Sequence, residues 1–207
     1  MKPKLRQLFT AAHTWNGGFY ELAIELGLHS DERLRKALQT IWQCDGLDGC
    51  YVARDVEPSQ QSRLSPSLDT SALGVATLPD GEQVACGTFI VREDNGNGPD
   101  WIGFYLPMGA LGSVYDVGAF PFVDGKSSRV WREPLDDWLR QIAAAVFVVV
   151  PFSLALIGHE VSGTAYADKI RITGVPDERW VGLLWGDAGE LIWYPPTRHE
   201  GDYTVDR

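Results

Sequence analysis

The chain has 207 residues, of which 44% are hydrophobic, 22% charged and 11% aromatic; this suits a folded globular protein and excludes a disordered one. At this size a core needs no disulfide or metal to hold it. Its 28 acidic and 18 basic side chains leave a formal charge of -10, the wrong sign for affinity that rests on neutralising phosphates, which argues against nucleic acid or an anionic membrane as partner.

The first residues are basic, but Gln7, Thr10 and His13 interrupt any apolar run, so no secretory signal is expected. Phe19 to Leu26 alternates Tyr20, Leu22, Ile24 and Leu26 with Glu21 and Glu25, the period-two pattern of a strand with one face in water. Ser30 offers a helix N-cap, Asp31 and Glu32 suit the positive end of the dipole, and Leu34, Leu38, Ile41 and Trp42 form a buried stripe. The Asp-Gly pairs within Cys44 to Cys50 read as a turn after that helix, too short a run of ligands for a calcium loop. Cys44, Cys50 and Cys86 are an odd number at plain spacing and are expected as thiols in a cytoplasmic protein, Cys86 as a small apolar strand residue. Ser59 to Asp69 is polar and reads as a loop; residues 74–93 read as two strands about Pro79-Asp80-Gly81.

A hairpin is expected about Gly109-Ala110, and Asp124 to Glu133 is the best internal boundary. Pro134 and Asp136-Asp137 then open a second helix with Trp138, Leu139, Ile142, Val146 and Phe147 facing inward. Residues 141–158 are free of charge and about the minimum length of a membrane span, but Pro151 and Ser153 divide them into a helix end, a break and a buried strand. A last hairpin turns at Gly186 to Gly189, and Trp180 to Tyr194 carries apolar residues on both faces, so both need covering.

Asp31 to Pro58 lies over Asp136 to Gly163 without a gap, Trp101 to Tyr115 over Trp180 to Tyr194, and, more weakly, Phe19 to Leu22 over Val114 to Val117. These matches imply an internal duplication with copies at 19–112 and 113–196, the surplus of the first lying in the loop and hairpin after Ser59. Shared hydrophobic periodicity accounts for the same matches without duplication. Strands that outnumber helices and pair as hairpins imply an α+β fold. The expectation is one compact domain over 1–207, with two helix-plus-antiparallel-strand units and the helices on one face of a mixed or antiparallel sheet.

His159-Glu160 comes nearest to an acid–base pair, yet neighbours on a strand point to opposite faces, and the matching Arg54-Asp55 cannot do the same proton chemistry. His13, His29 and His199 lack metal-ligand spacing, and the glycines of Asn95 to Gly98 precede no helix pattern. No metal, cofactor or catalytic residue is expected. Eight tryptophans exceed what such a core needs; Trp101, Trp180, Trp185 and Trp193 lie in the matched strands, beside Tyr105, Tyr115 and Tyr194. With Glu21, Glu25, Asp55, His159 and Glu160 they make up the candidate binding residues, and Glu57 and Asp168 extend the acidic frame.

In Trp15 to Gly27 (WNGGFYELAIELG), in the paired helix units and in the RWVGLLW strand, the chain resembles the immunity proteins of bacterial polymorphic toxin systems. The resemblance is one of style and transfers no functional residue. It implies a small acidic α+β protein that neutralises a cognate toxin by binding it. The leading expectation is a non-enzymatic binding protein, an inhibitor of a basic protein partner. An enzyme or small-ligand binder with a pocket between the two copies, and a structural protein that self-associates through an exposed strand as a homodimer, are the alternatives.

Overall fold

The computed structural model describes residues 7–92, 98–117 and 125–198. His199 and Asn95 to Asn97 lie outside them. Eight strands, β1 (Phe19–Gly27), β2 (Leu47–Tyr51), β3 (Ala72–Thr77), β4 (Gln83–Val91), β5 (Asp100–Pro107), β6 (Leu154–His159), β7 (Gly182–Asp187) and β8 (Glu190–Tyr194), form one open sheet in the order β2-β3-β4-β5-β1-β6-β7-β8. Every neighbouring pair is antiparallel. The helices are α1 (Asp31–Trp42), α2 (Met108–Leu111), α3 (Gly125–Val149) and α4 (Ala167–Thr173). The fold is α+β.

The main core lies between the sheet and the two long helices. Tyr20, Leu22, Ile24 and Leu26 of β1 meet Leu34, Leu38 and Ile41 of α1 and Leu135, Leu139, Ile142 and Val146 of α3, all buried at helical or strand spacing. Ser30 caps α1 as its sequence suggests, its hydroxyl accepting from Arg33 N at 3.3 Å. Trp42 extends this core to the β2 edge. Its indole lies across Gly49 and Gly74, where any Cβ would collide with the ring, and its Nε1 donates to Thr88 Oγ1 at 3.1 Å.

The opposite face carries two covers. Near β2 the N-terminal segment packs Phe9 edge-on against Tyr51 and Trp15, held by the Glu57 carboxylate, which accepts from the backbone N–H groups of Leu8, Phe9 and Thr10. Near β7, α4 brings Ala167 and Ile170 onto Ala23, Trp101, Leu154, Leu156 and Leu183. Helices therefore flank both faces, not one as expected. Strand β1 is buried on both sides, which corrects its reading as half-solvated.

The two-copy arrangement is not confirmed. α1 and α3 do pack together, but β2, matched to the β6 region, is an edge strand, whereas β6 sits beside β1 in the middle of the sheet. Gly109-Ala110 lies in α2 and makes no hairpin, because the N-terminal segment catches the chain there: Met108 N donates to Gly18 O and Gly109 N to Asn16 O. Val114 to Val117 forms no strand. Pro134 lies inside α3 and does not open it; the proline removes one N–H from the helical ladder, and the helix runs on through the expected boundary at 125–133. The charge-free run does divide as expected, α3 ending at Val149 and β6 starting at Leu154. Among the described residues, no helix is long and apolar enough to cross a membrane.

Candidate functional site

The expected site residues separate into three groups. Glu21 and Glu25 are 2% and 7% exposed and hold the second cover in place. The Glu21 carboxylate accepts from Ser162 N and Oγ at 2.9 and 3.0 Å, and that of Glu25 from Ala167 N, at the start of α4, at 2.8 Å. They are not an acidic outer face: donors from residues 160–167 replace the water that their alternation had suggested. Trp101 is buried edge-on against Tyr166 beneath the same cover.

His159 and Glu160 form the second group. Glu160 adopts a left-handed φ of 48°, which breaks the strand alternation, and both side chains come to Gly18: a Cβ there would meet Glu160 Oε1 at 2.5 Å and His159 Nε2 at 3.0 Å. The expectation that they point apart is corrected by that turn. Asp55 is exposed beyond β2 and stands outside all three groups.

The third group is at the β7–β8 edge. Trp185 is half-buried with the Arg171 guanidinium 5.9 Å from its ring, Trp193 lies flat across Gly182 under Arg140, and Trp180 is 40% exposed. No single surface unites the nine residues.

A groove of about 820 Å³ lies at the end of the sheet where β1 stops and β6 begins. Its walls come from both halves of the chain: Glu25 to Leu28, Arg33 and Pro99 on one side, and Val148, Pro151 to Ser153, Asp168, Arg171 and the Gly186–Gly189 turn on the other. Pro151 ends α3 sharply, and Ala188 and Gly189, at φ of 48° and 87°, reverse the chain in a two-residue hairpin, leaving the space between them open. Arg33 crosses the floor, donating to Leu26 O at 3.0 Å and to Pro151 O. Arg171 donates to Ser153 Oγ at 2.8 Å and pairs with Asp168 at 3.2 Å. Both guanidiniums are thus engaged within the protein. Among the lining residues, Leu28 is 81% and Val148 83% exposed. The lining contains no histidine or cysteine, and its one buried carboxyl, Glu25, is occupied by Ala167. Such a surface can bind a partner group.

Beside Leu28 the fold assembles a cluster that no local spacing announces. His29 Nδ1 lies 3.1 Å from the buried Asp100 carboxylate, which also accepts from Ser30 N at 2.8 Å. Arg92 donates to His29 Nε2 at 2.9 Å and pairs with Asp31 at 2.6 Å. Since arginine can only donate, Nε2 is the nitrogen of His29 that accepts. The cluster ties β4, β5 and α1 together at the groove's corner. Among the described residues, no group of three or more His, Cys, Asp or Glu is placed to hold a metal ion.

Two expectations follow. Glu25→Ala leaves the Ala167 N–H without its acceptor and costs about 2 kcal/mol, whereas Glu25→Gln keeps an acceptor and costs under about 1 kcal/mol. Urea denaturation of both variants measures this; equal stability of Glu25→Ala and wild type would show a solvated carboxylate.

The second concerns pH. Burial raises the carboxyls of Glu21 and Glu25, and raises Asp136 from 3.8 to about 6 despite the Tyr20 hydrogen bond and the Arg132 charge that lower it. A raised acid keeps its proton longer in the folded state than in the unfolded one. The stability it contributes is full below the unfolded value and is lost as pH rises through the folded one, here between about 4 and about 6. The melting temperature is therefore higher near pH 5 than near pH 7.5, and Asp136→Asn flattens part of the slope. Melting that rises steadily over that range contradicts this.

Comparison with protein families, with curated proteins and with solved structures finds no match to this chain.

Proposed function

We propose that the chain is a non-enzymatic binding protein that docks a basic protein partner over the groove at the β1–β6 end of the sheet. One observation carries the reading: Val148 and Leu28, at 83% and 81%, are two of the three most exposed large hydrophobic residues described, and both line this concavity. Exposed aliphatics around a cleft are the usual mark of an interaction surface. Its volume accepts an apolar side chain of a partner.

Charge selects that partner's chemistry. The chain carries -10, and at the groove Arg33 is bonded to backbone carbonyls and Arg171 to Ser153 and Asp168, while Asp187 stands exposed. A basic surface is drawn in by the acids, and the apolar anchors then slow its dissociation. Asp187 is an exposed acid at this surface, where Glu21 and Glu25, expected as binding residues, are buried. This is the manner of action that the resemblance to toxin-immunity proteins implies, with inhibition following from occlusion.

A photo-cross-linking residue placed singly at 28, 148 or 130 in the native host tests the reading. Val130 is 77% exposed, on α3 away from the groove, and is the control. The same basic protein cross-linked from 28 and 148 and not from 130 supports it, as does loss of that adduct in high salt. Cross-linking from all three positions alike, or from none with the tagged protein well expressed, overturns it.

A further inference from the structure

A second cavity, of about 340 Å³, lies between α3 and the far edge of the sheet, and it is independent of the groove. One stripe of α3 (Arg129, Arg132, Glu133, Asp136 and Asp137) faces Trp193, Pro195 and Pro196 across it. A polar helix stripe normally turns to water, yet Arg132 and Asp136 are each only 7% exposed. Behind them stands Tyr20 of β1, fully buried, whose phenol donates to the Asp136 carboxylate. Arg132 is turned inward to that same ring, its Nε 3.4 Å from Tyr20 Oη and its guanidinium 5.7 Å from the ring centre.

The far wall shows what this surface accepts. Trp193 lies flat over Gly182, whose missing Cβ leaves room for the indole. Over the ring, at 4.9 Å, sits the guanidinium of Arg140, which also pairs with Asp137 at 2.7 Å. The chain's own side chain thus sets a planar cation between an aromatic face and a carboxylate next to the cavity. Three carboxylates line the space: Asp137 is paired with Arg140 and Asp136 is held by Tyr20 beside Arg132, whereas Glu133 makes no ion pair among the described residues. An entering cation pairs Glu133 and adds to the partners of Asp136, whose burial outweighs those it already has.

We propose that the α3–β8 cavity is a binding site for a small organic cation, a primary ammonium or guanidinium on a short apolar stem. The head group lies between Asp136 and Glu133, and the stem lies along Trp193 and the two prolines. Arg129, exposed at the mouth, opposes entry.

The groups facing Asp136 are Tyr20 from β1 and Arg132, Glu133 and Asp137 from its own helix; Trp193 and the prolines from the β8 side carry no charge. Because burial holds Asp136 up at about 6, the carboxylate that receives the cation is fully formed only above that pH. Affinity therefore falls about tenfold from near pH 7.5 to near pH 5.

The probes are n-butylguanidinium and n-butylammonium, with butyrate as the anionic control, titrated by calorimetry and by the indole N–H signal of Trp193, assigned with Trp193→Phe. Saturable binding of both cations and none of butyrate is expected. Asp136→Asn weakens binding at least about tenfold, and Arg129→Gln strengthens it about threefold. Because Asp136→Asn also touches the buried Tyr20 network, Glu133→Gln, on the exposed side, provides a second variant, with about threefold weakening expected. Absence of a saturable Trp193 shift, equal binding of butyrate, or weakening by Arg129→Gln overturns the proposal, the last two in favour of an anion site.

Discussion

Replacing Leu28 and Val148 together by arginine is expected to weaken partner binding at least about a hundredfold while leaving the melting temperature within about 2 °C of wild type. The two side chains are 81% and 83% exposed, so the fold buries little of either and loses little when they change. At an interface the balance reverses: each anchor is worth about 2 kcal/mol when buried against a partner, and arginine adds like charge toward a basic surface. Val130→Arg makes the same change at a site 77% exposed and is expected to have no effect on binding. Biolayer interferometry with the cross-linked partner gives the affinities. Binding of the double variant within about threefold of wild type would remove the groove from the interface.

The largest single loss of stability is expected at Trp42. Its indole fills the space above Gly49 and Gly74, and its N–H reaches Thr88, so Trp42→Ala leaves a void and an unanswered hydroxyl. The cost is about 3 kcal/mol or more, read from urea unfolding with an unchanged dependence on denaturant. Gly49→Val alone drives a side chain into the ring, whose atoms are the nearest its Cβ would meet, and is destabilising as well. Combined with Trp42→Ala, it refills the void, so the double variant is more stable than the sum of the two losses predicts. Strict additivity would mean that the ring and the glycine do not share that space.

Much of the scaffold was legible because its signals are local. The alternation of β1, the Ser30 cap and apolar stripe of α1, the Pro79-Asp80-Gly81 turn and the break at Pro151 each rest on a few neighbouring residues, and each appears where expected. What escaped depends on distant segments. Glu21 and Glu25 alternate as solvated residues do; only the donors of Ser162 and Ala167, more than a hundred positions away, make them interior. His29 and Asp100 meet because β1 and β5 are paired, a fact no spacing shows.

Other signals were local but ambiguous. A proline near acids marks many helix starts, yet Pro134 lies within α3. The duplicated pattern reflects what any helix followed by a strand shares, and the sheet order separates β2 from β6. The groove itself is made by the ends of elements from both halves, so its apolar rim becomes visible only once the chain is folded. Leu28 and Val148 by themselves are ordinary aliphatic residues.

Amide hydrogen exchange of the chain alone and bound to its cross-linked partner tests the groove most directly. The account predicts slowed exchange on binding at residues 26–29, 151–153 and 186–189, which meet only at the groove, with little change at β2 or in the first turns of α3. Protection confined to those other regions, with the groove segments exchanging as in the free chain, contradicts it.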